Sequence, residues 1–319
     1  MKRIIERLRN VLGPKYMYAG EVLLKHLCGK TTILEVNLEF VNYCDVRCRW
    51  CSLDHNQKKC RMSKETVRKL FDYILSDTRF SSVKTLNLFN GGETLLHPDV
   101  VGMLGIIKEY KQKFIGKGRL FPVVSLLTNG LSLSERMAGD LVHADVVDLI
   151  RFSVDGGSKE KYETIRIGAR WDVIAKNIKK FIELNQGRIK TGIICIIEYD
   201  KAKNTQWMTP EFQEMCGMVD DVELRYPHDW MGDVTVEGYK KIFKNYCYFL
   251  IHSLVILPNA DVVVCCGDLN GTKGVVGNLC EKNLYEIYNS AKRKKIIYNL
   301  LRGRRDQIEL CKDCSGYGS

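Results

Sequence analysis

Short apolar runs rich in Val, Ile and Leu alternate along the chain with stretches whose apolar residues recur every three or four positions. The runs mark strands, and the longer period marks amphipathic helices. Read this way, "TILEVNLEF" (32–40), "VKTLNLF" (83–89), "PVVSLLT" (122–128), "VVDLIRFSV" (146–154), "TGIICIIE" (191–198) and "DVELRY" (221–226) are strands. Helices fall between them. Ser63 caps one with Val67, Leu70, Phe71, Ile74 and Leu75 on a single face. Pro98 suits the first turn of another, carrying Val101, Leu104, Ile107 and Tyr110. Ser132 and Glu135 have the spacing of a capping box. From Trp171 to Leu184, Ile174, Ile178 and Phe181 are in register. Repeated strand–helix units predict an α/β fold with a parallel sheet, whose ligands gather at the carboxyl ends of the strands.

After about residue 235 the pattern changes. Strands at 252–258 and 261–266 flank Asn259 and Ala260 as a hairpin, and a helix follows around 283–300. Three parts are therefore expected: a helical extension over 1–30, a core over 31–234 and a small α+β unit over 235–319. In the extension, Ile4, Ile5, Leu8, Val11 and Leu12 share one face, with Lys2, Arg3, Arg7 and Arg9 elsewhere. That pattern suits a helix capping the bottom of the core better than one lying on a membrane.

Hydrophobic content of 45% and charge of 27% fit a soluble globular protein, and no apolar run reaches the length of a membrane span. Charges interrupt the N-terminal apolar residues too often for a secretory signal, so a cytoplasmic protein is expected. The net charge is +11, concentrated in part at "KRKK" (292–295) and "RGRR" (302–305). These read chiefly as solvated helix faces, and in functional terms as attraction for an anionic small molecule. No basic stripe interleaves with stacking aromatics, which argues against nucleic acid. Thirteen cysteines without a signal point to metal or cluster ligation rather than disulfides.

Cys44, Cys48 and Cys51 are packed into "NYCDVRCRWC" with the spacing Cys-x3-Cys-x2-Cys, and Trp50 directly precedes the last. Three thiolates on one loop can hold three irons of a 4Fe–4S cluster and leave the fourth open. A zinc ion shared with Cys60 is the competing reading, although zinc ligands usually come as separated Cys-x2-Cys pairs. The segment resembles the radical S-adenosylmethionine (SAM) enzymes. That resemblance implies a partial (β/α)6 TIM-type barrel with a small C-terminal α+β cluster-binding domain. It also implies SAM chelating the open iron and its one-electron cleavage to a hydrogen-abstracting 5′-deoxyadenosyl radical.

By the same resemblance, Gly91, Gly92 and Glu93 of "NGGET" bind the methionyl part of SAM, with Trp50 and Asn129 of "TNG" among the cofactor contacts. Ser153 and Asp155 of "SVDG" lie where the family contacts ribose. Glu198 belongs to a partial match of the adenine segment, in which Thr191 and Cys195 stand where the pattern has glycines. Beyond residue 240, Cys247, Cys265, Cys266, Cys280, Cys311 and Cys314 resemble the twitch or SPASM extensions. The short tail implies a second, auxiliary 4Fe–4S cluster on Cys247, Cys265, Cys311 and Cys314. Cys266 is an alternative to Cys265, Cys280 is structural, and one zinc on the same four thiolates is the competing reading.

"ELRYPHDWMGD" (223–233) leaves the sixth strand over the barrel mouth, where Arg225, His228, Asp229 and Trp230 could line a substrate pocket. Arg225, His228 and Asp268 are candidate proton acceptors. The expected activity is a radical SAM oxidoreductase acting on a hydroxylated small molecule, a sugar or cyclitol, nucleotide-linked in one version. The outcome is dehydrogenation or epimerisation, with electrons from a low-potential donor such as flavodoxin or ferredoxin. The competing expectations are a peptide-modifying maturase and a zinc-stabilised binding module without redox chemistry.

Overall fold

A computed structural model of the chain describes residues 17–198, 207–237 and 247–315. The amphipathic face expected at Ile4 to Leu12 lies outside these residues, while 17–27 are helical (α1). The first strand, β1 (Glu35–Leu38), is followed by a two-residue strand, β2 (Arg47–Cys48), inside the cysteine loop. Then come β3 (Thr85–Asn87), β4 (Val123–Thr128), β5 (Leu149–Ser153), the short β6 (Arg166–Ile167), β7 (Lys190–Ile196) and β8 (Asp221–Arg225). Between them lie α2 (Lys64–Ser76), α3 (Val100–Gly116), α4 (Glu135–Ala144), α5 (Lys159–Ile165), α6 (Trp171–Asn185) and α7 (Pro210–Gly217).

The six long-range strands run parallel in the order β1-β3-β4-β5-β7-β8, as repeated strand–helix units dictate. One face carries Ile150, Phe152 and Ile193, each fully buried, and Phe152 meets Phe181 of α6 edge-on at 5.7 Å. Burying each such side chain contributes about 1.5–3 kcal/mol. Alternation turns the intervening residues to the opposite face, which the helices leave uncovered.

Local chemistry shifts several helix starts. The α3 helix is capped by Asp99, one residue after Pro98, whose side chain accepts the Gly102 N–H. This register buries Val100, Met103, Leu104, Ile107 and Tyr110 and leaves Val101 exposed, contrary to expectation. The cap of α4 is Ser134 rather than Ser132, because the Ser132 hydroxyl donates instead to Asp45 at 3.2 Å.

The C-terminal part contains α8 (Tyr248–His252), β9 (Ser253–Ile256), β10 (Asp261–Val263), β11 (Val275–Asn278), α9 (Leu284–Tyr288) and α10 (Ala291–Leu301). The single helix expected over 283–300 is broken because Ser290 caps α10 afresh. The expected hairpin forms, with Ala260 at φ 69°, but it is no free appendage. Its β9 lies parallel to β1 from Glu35↔Ser253 to Leu38↔Ile256, giving one sheet ordered β11-β10-β9-β1-β3-β4-β5-β7-β8. An open barrel leaves an edge on β1, and the wholly buried β9 covers it. Among the described residues no helix is long and apolar enough to cross a membrane.

Candidate active site

The chain leaves β1 through Glu39 and enters the cysteine loop, whose Cys44, Cys48 and Cys51 are free and half-buried. The β2–β6 ladder, pairing Cys48 with Arg166, pins the middle of the loop. Backbone N–H groups of Val46 and Leu53 point at Cys44 and Cys51. Burial, reinforced by the Glu93 charge, pushes the Cys44 thiol up to about 12. Burial also pushes Cys48 up to about 11, against the opposing pull of the Arg166 guanidinium. Two side-chain donors reach the sulfurs: Asn129 Nδ2 lies 3.6 Å from Cys44 Sγ, and Arg166 Nη1 lies 3.6 Å from Cys48 Sγ.

The strand ends converge on this loop. Gly91 and Gly92 donate their N–H groups to one oxygen of Glu39 at 2.9 and 2.8 Å. A Cβ at Gly92 would sit 1.8 Å from the Val41 carbonyl oxygen, so only glycine lets this turn press against the cysteine loop. Glu93 is buried and accepts from Asn129 N at 2.8 Å, Thr128 Oγ1 at 2.9 Å and Leu95 N at 3.1 Å. Burial nonetheless raises it to about 7. Asn129 also holds Asp45 at 2.7 Å. Asp155 is buried and pairs with Arg166 at 2.7 Å while accepting the Ile196 N–H at 2.7 Å.

Glu39 and Arg166 had not been expected at the site. A carboxylate inside the apolar run 32–40 was a signal for the first. Arg166 has no motif, because its role comes from the ladder that places it beside Cys48.

Ser153 closes β5, and Glu198 follows β7, where it pairs with Lys161 at 2.9 Å. Between these strand ends Trp50, Gly156, Lys161, Ile165, Ile196, Ile197, Glu198 and Trp207 line a narrow slot. Trp50 is therefore brought together with Glu198. The Trp50 carbonyl accepts from Trp230 Nε1 at 2.6 Å.

The second cysteine group forms from three distant places. Cys265, Cys311 and Cys314 are buried and Cys247 is half-buried. The Cys247 thiol, raised to about 12 chiefly by burial, feels Cys265 and Cys314, and Cys311 feels Cys265, Cys247 and Cys314. Arg305 holds the Cys-x2-Cys turn through the carbonyls of Cys311 and Cys314. Cys265 and Cys266 lie in the turn after β10 and not on the strand. Cys265 joins the main core, whereas Cys266 packs on Val255, Leu257 and Val263.

Both thiol groups fit a cubane better than a single ion. Four sulfurs around one zinc at 2.3 Å stand about 3.8 Å apart. Among the described residues, the only three His, Cys, Asp or Glu ligand atoms within 4.8 Å of one another are those of His228, Asp229 and Cys314. Neither cysteine group is drawn in that far. The half-buried triplet leaves room for a ligand from outside the chain, as a 4Fe–4S cluster with an open iron requires.

The candidate proton acceptors are placed less favourably. Arg225 faces the uncovered side of the sheet, where its guanidinium grips Glu223 at 2.7 and 2.8 Å. A paired guanidinium has donors but no lone pair to take a proton. Asp268 is buried, and its carboxylate is committed to the N–H groups of Thr272, Lys273 and Gly274, which shape its own loop. His228 Nδ1 accepts the Trp230 N–H at 2.8 Å, so its free proton sits on Nε2 and that nitrogen is a donor.

A parallel sheet with a cysteine triplet after its first strand, a glycine turn after the next and a second thiol group beside its edge defines an iron–sulfur enzyme of the partial-barrel class. A family model described as the radical SAM superfamily matches residues 38–204, just over half of the chain, and one for an iron–sulfur cluster-binding domain (SPASM) matches 247–315. The chain belongs to the radical SAM superfamily, whose cofactors are a 4Fe–4S cluster and SAM, and it carries the cluster-binding extension.

Curated relatives include "Molybdenum cofactor biosynthesis protein 1" of Dictyostelium discoideum, 24% identical over 69% of this chain and 36% of that protein. Another is a "Probable GTP 3′,8-cyclase" of Methanococcus maripaludis, 27% identical over 51% of this chain and 50% of its own length. The chain thus spans about a third to a half of the curated relatives it matches. Among solved structures, BtrN in complex with AdoMet and 2-DOIA aligns over 90% of this chain and 95% of its own, with TM-score 0.58 and 16% identity. Streptococcus suis SuiB bound to precursor peptide SuiA covers 93% of this chain and 74% of its own, with TM-score 0.66 and 14% identity. These two likenesses are likenesses of fold.

Proposed function

We propose that the chain is a radical SAM oxidoreductase that dehydrogenates or epimerises a hydroxylated small molecule, a sugar or cyclitol, free or nucleotide-linked. The observation that carries this reading is the chemistry of the uncovered sheet face. Rows of paired residues place Asn37, Asn87 and Ser125 there, then Arg151 and Asp221, then Ser153 and Glu223, and finally Arg225. Arg151 approaches Asp221 at 3.7 Å and Glu223 at 3.9 Å. Such a lining offers many donors and acceptors for hydroxyl groups. The same rows carry Leu127, Leu149, Ile194 and Ile196, apolar surface for the carbon skeleton of the substrate.

In this reading residues 31–234 form the catalytic core and 235–319 the auxiliary unit. Cys44, Cys48 and Cys51 hold the SAM-binding cluster, and Cys247, Cys265, Cys311 and Cys314 hold the second. The bound cofactors supply a hydrogen-abstracting carbon radical and a one-electron sink. Glu93, poised near neutrality, receives the methionyl ammonium, and Gly91 and Gly92 let it approach. Asp155 and Arg166 present fixed charge beside Cys48, while Ser153, Trp50 and Glu198 border the nucleoside. A low-potential donor such as flavodoxin or ferredoxin provides the electron.

The relatives named as GTP cyclases favour a nucleotide-linked substrate. The fold shared with a structure bound to a precursor peptide favours the second reading, a peptide maturase. Reconstituted, reduced protein with SAM should release 5′-deoxyadenosine faster when given sugars, cyclitols or their nucleotide conjugates. Stimulation by peptides alone would overturn the small-molecule reading.

A further inference from the structure

We infer that Asn270 and Trp230 are positioning residues of the first cysteine loop, gripping its backbone from outside on either side of Cys51. This rests on the reading of Cys51 as a ligand of the SAM-binding cluster. The segment calls for such support, because residues 51–60 form neither helix nor strand. Within the loop, the Cys51 N–H donates to the Cys48 carbonyl at 3.2 Å.

The carbonyls flanking Cys51 are taken by side chains from distant elements. Trp230 Nε1 donates to the Trp50 carbonyl at 2.6 Å, and Asn270 Nδ2 donates to the Ser52 carbonyl at 2.9 Å. Asn270 spends the other end of its amide on the same loop. Its Oδ1 accepts the Asp54 N–H at 2.9 Å and Gln57 Nε2 at 3.4 Å. Only one orientation of the amide satisfies all three partners.

Both side chains come from braced turns that lead to the second cysteine group. Asn270 follows Cys265 by five residues, in the loop that buried Asp268 shapes through the N–H groups of Thr272, Lys273 and Gly274. Next to it, buried Leu269 packs on the glycine turn, where a Cβ on Gly91 would lie 3.2 Å from the Leu269 Cβ. Trp230, Met231 and Gly232 have φ of 44°, 65° and 88°. Bulky residues adopt that left-handed conformation only where surrounding contacts impose it. Here Asp229 Oδ2 accepts the Ser315 N–H at 2.9 Å, and a Cβ on Gly232 would lie 2.7 Å from the Asp313 Cβ. The auxiliary unit therefore does more than collect four thiols. It fixes the backbone that aims the Cys51 thiol and carries the Trp50 ring at the edge of the slot. Without that grip only a fraction of molecules has the loop in the competent geometry, and apparent SAM affinity falls by that fraction.

The test is an EPR-monitored titration of the reconstituted, reduced full chain with SAM, with iron counted, for the unaltered chain, Asn270→Ala, Asn270→Asp and Trp230→Phe. About eight irons per chain are expected in all four, with SAM binding weakened about fivefold in each variant. In turnover, the KM for SAM should rise more than kcat falls. Asn270→Asp keeps an acceptor for the Asp54 N–H but sets a carboxylate oxygen against the Ser52 carbonyl, so it should do no better than Asn270→Ala. Unchanged SAM affinity in Asn270→Ala at full iron content overturns the inference. Unaltered SAM affinity in Asn270→Asp also overturns it, because the grip on Ser52 would then be idle. Loss of about four irons in Asn270→Ala with SAM affinity intact overturns it as well, since Asn270 would then serve the auxiliary unit alone. If SAM leaves the EPR spectrum of the unaltered chain unchanged, the reading of Cys51 fails before Asn270 is touched.

Discussion

The two cysteine groups solve opposite problems. The first sits on one short loop, its three thiols half-buried, and the ends of β3, β4, β5 and β7 converge around it. The second collects four thiols from the start of α8, the turn after β10 and the tail, and buries three of them. A site that must admit a cofactor and start a reaction is built from local chain plus glycine turns. A site closed by four thiols can be assembled from distant parts, at the cost of depending on the whole fold.

The largest test of that contrast is a ligand swap. Cys48→Ala should abolish 5′-deoxyadenosine formation, whereas Cys311→Ala should leave SAM cleavage measurable and abolish product. Iron should fall from about eight to about four per chain in each. Equal loss of SAM cleavage in both would erase the distinction.

Next comes charge at the first site. Arg166→Ala strips the partner from buried Asp155 and should cost about 3–5 kcal/mol in chemical denaturation, besides removing a donor from Cys48. A loss below 1 kcal/mol, on the order of an exposed pair, would show that the ion pair is not buried in solution.

Gly92→Ala should cost about 3 kcal/mol and weaken SAM binding, since the new methyl cannot coexist with the Val41 carbonyl. The matching change Gly139→Ala, inside α4 where a Cβ meets nothing within 4 Å, should instead stabilise the protein by about 0.5–1 kcal/mol.

The last test is a pH slope. Burial raises Glu39 to about 8 and Glu93 to about 7, while the unfolded groups ionise near 4.5. Across that interval the folded state holds protons that the unfolded chain has released. Stability of the cluster-free protein should therefore fall as pH rises from about 5 to about 8. Glu39→Gln should flatten that fall in thermal melts, and an unaltered slope would remove Glu39 from the account.

Much of the architecture was legible because strand and helix periods are local. The six parallel strands, the hairpin and the α2 and α6 faces follow from apolar spacing, and the Cys-x3-Cys-x2-Cys loop and "NGGET" are contiguous in sequence. Capping was less legible: Ser134 and Ser132 compete for the same helix end, and only the distant Asp45 decides between them.

By itself the sequence determined the strand–helix order, the cysteine triplet and the family to which the chain belongs. Tertiary structure alone decided that β9 completes the barrel edge, that Arg166 stands beside Cys48, and that Cys265 packs in the main core while Cys266 packs on Val255, Leu257 and Val263. It also set Arg225 against Glu223, His228 Nδ1 against the Trp230 N–H and Asp268 against the N–H groups of its own loop. Residue type and spacing specify which groups a segment carries, but a proton's location depends on partners brought from elsewhere in the chain. Those partners exist only once the sheet has closed around them.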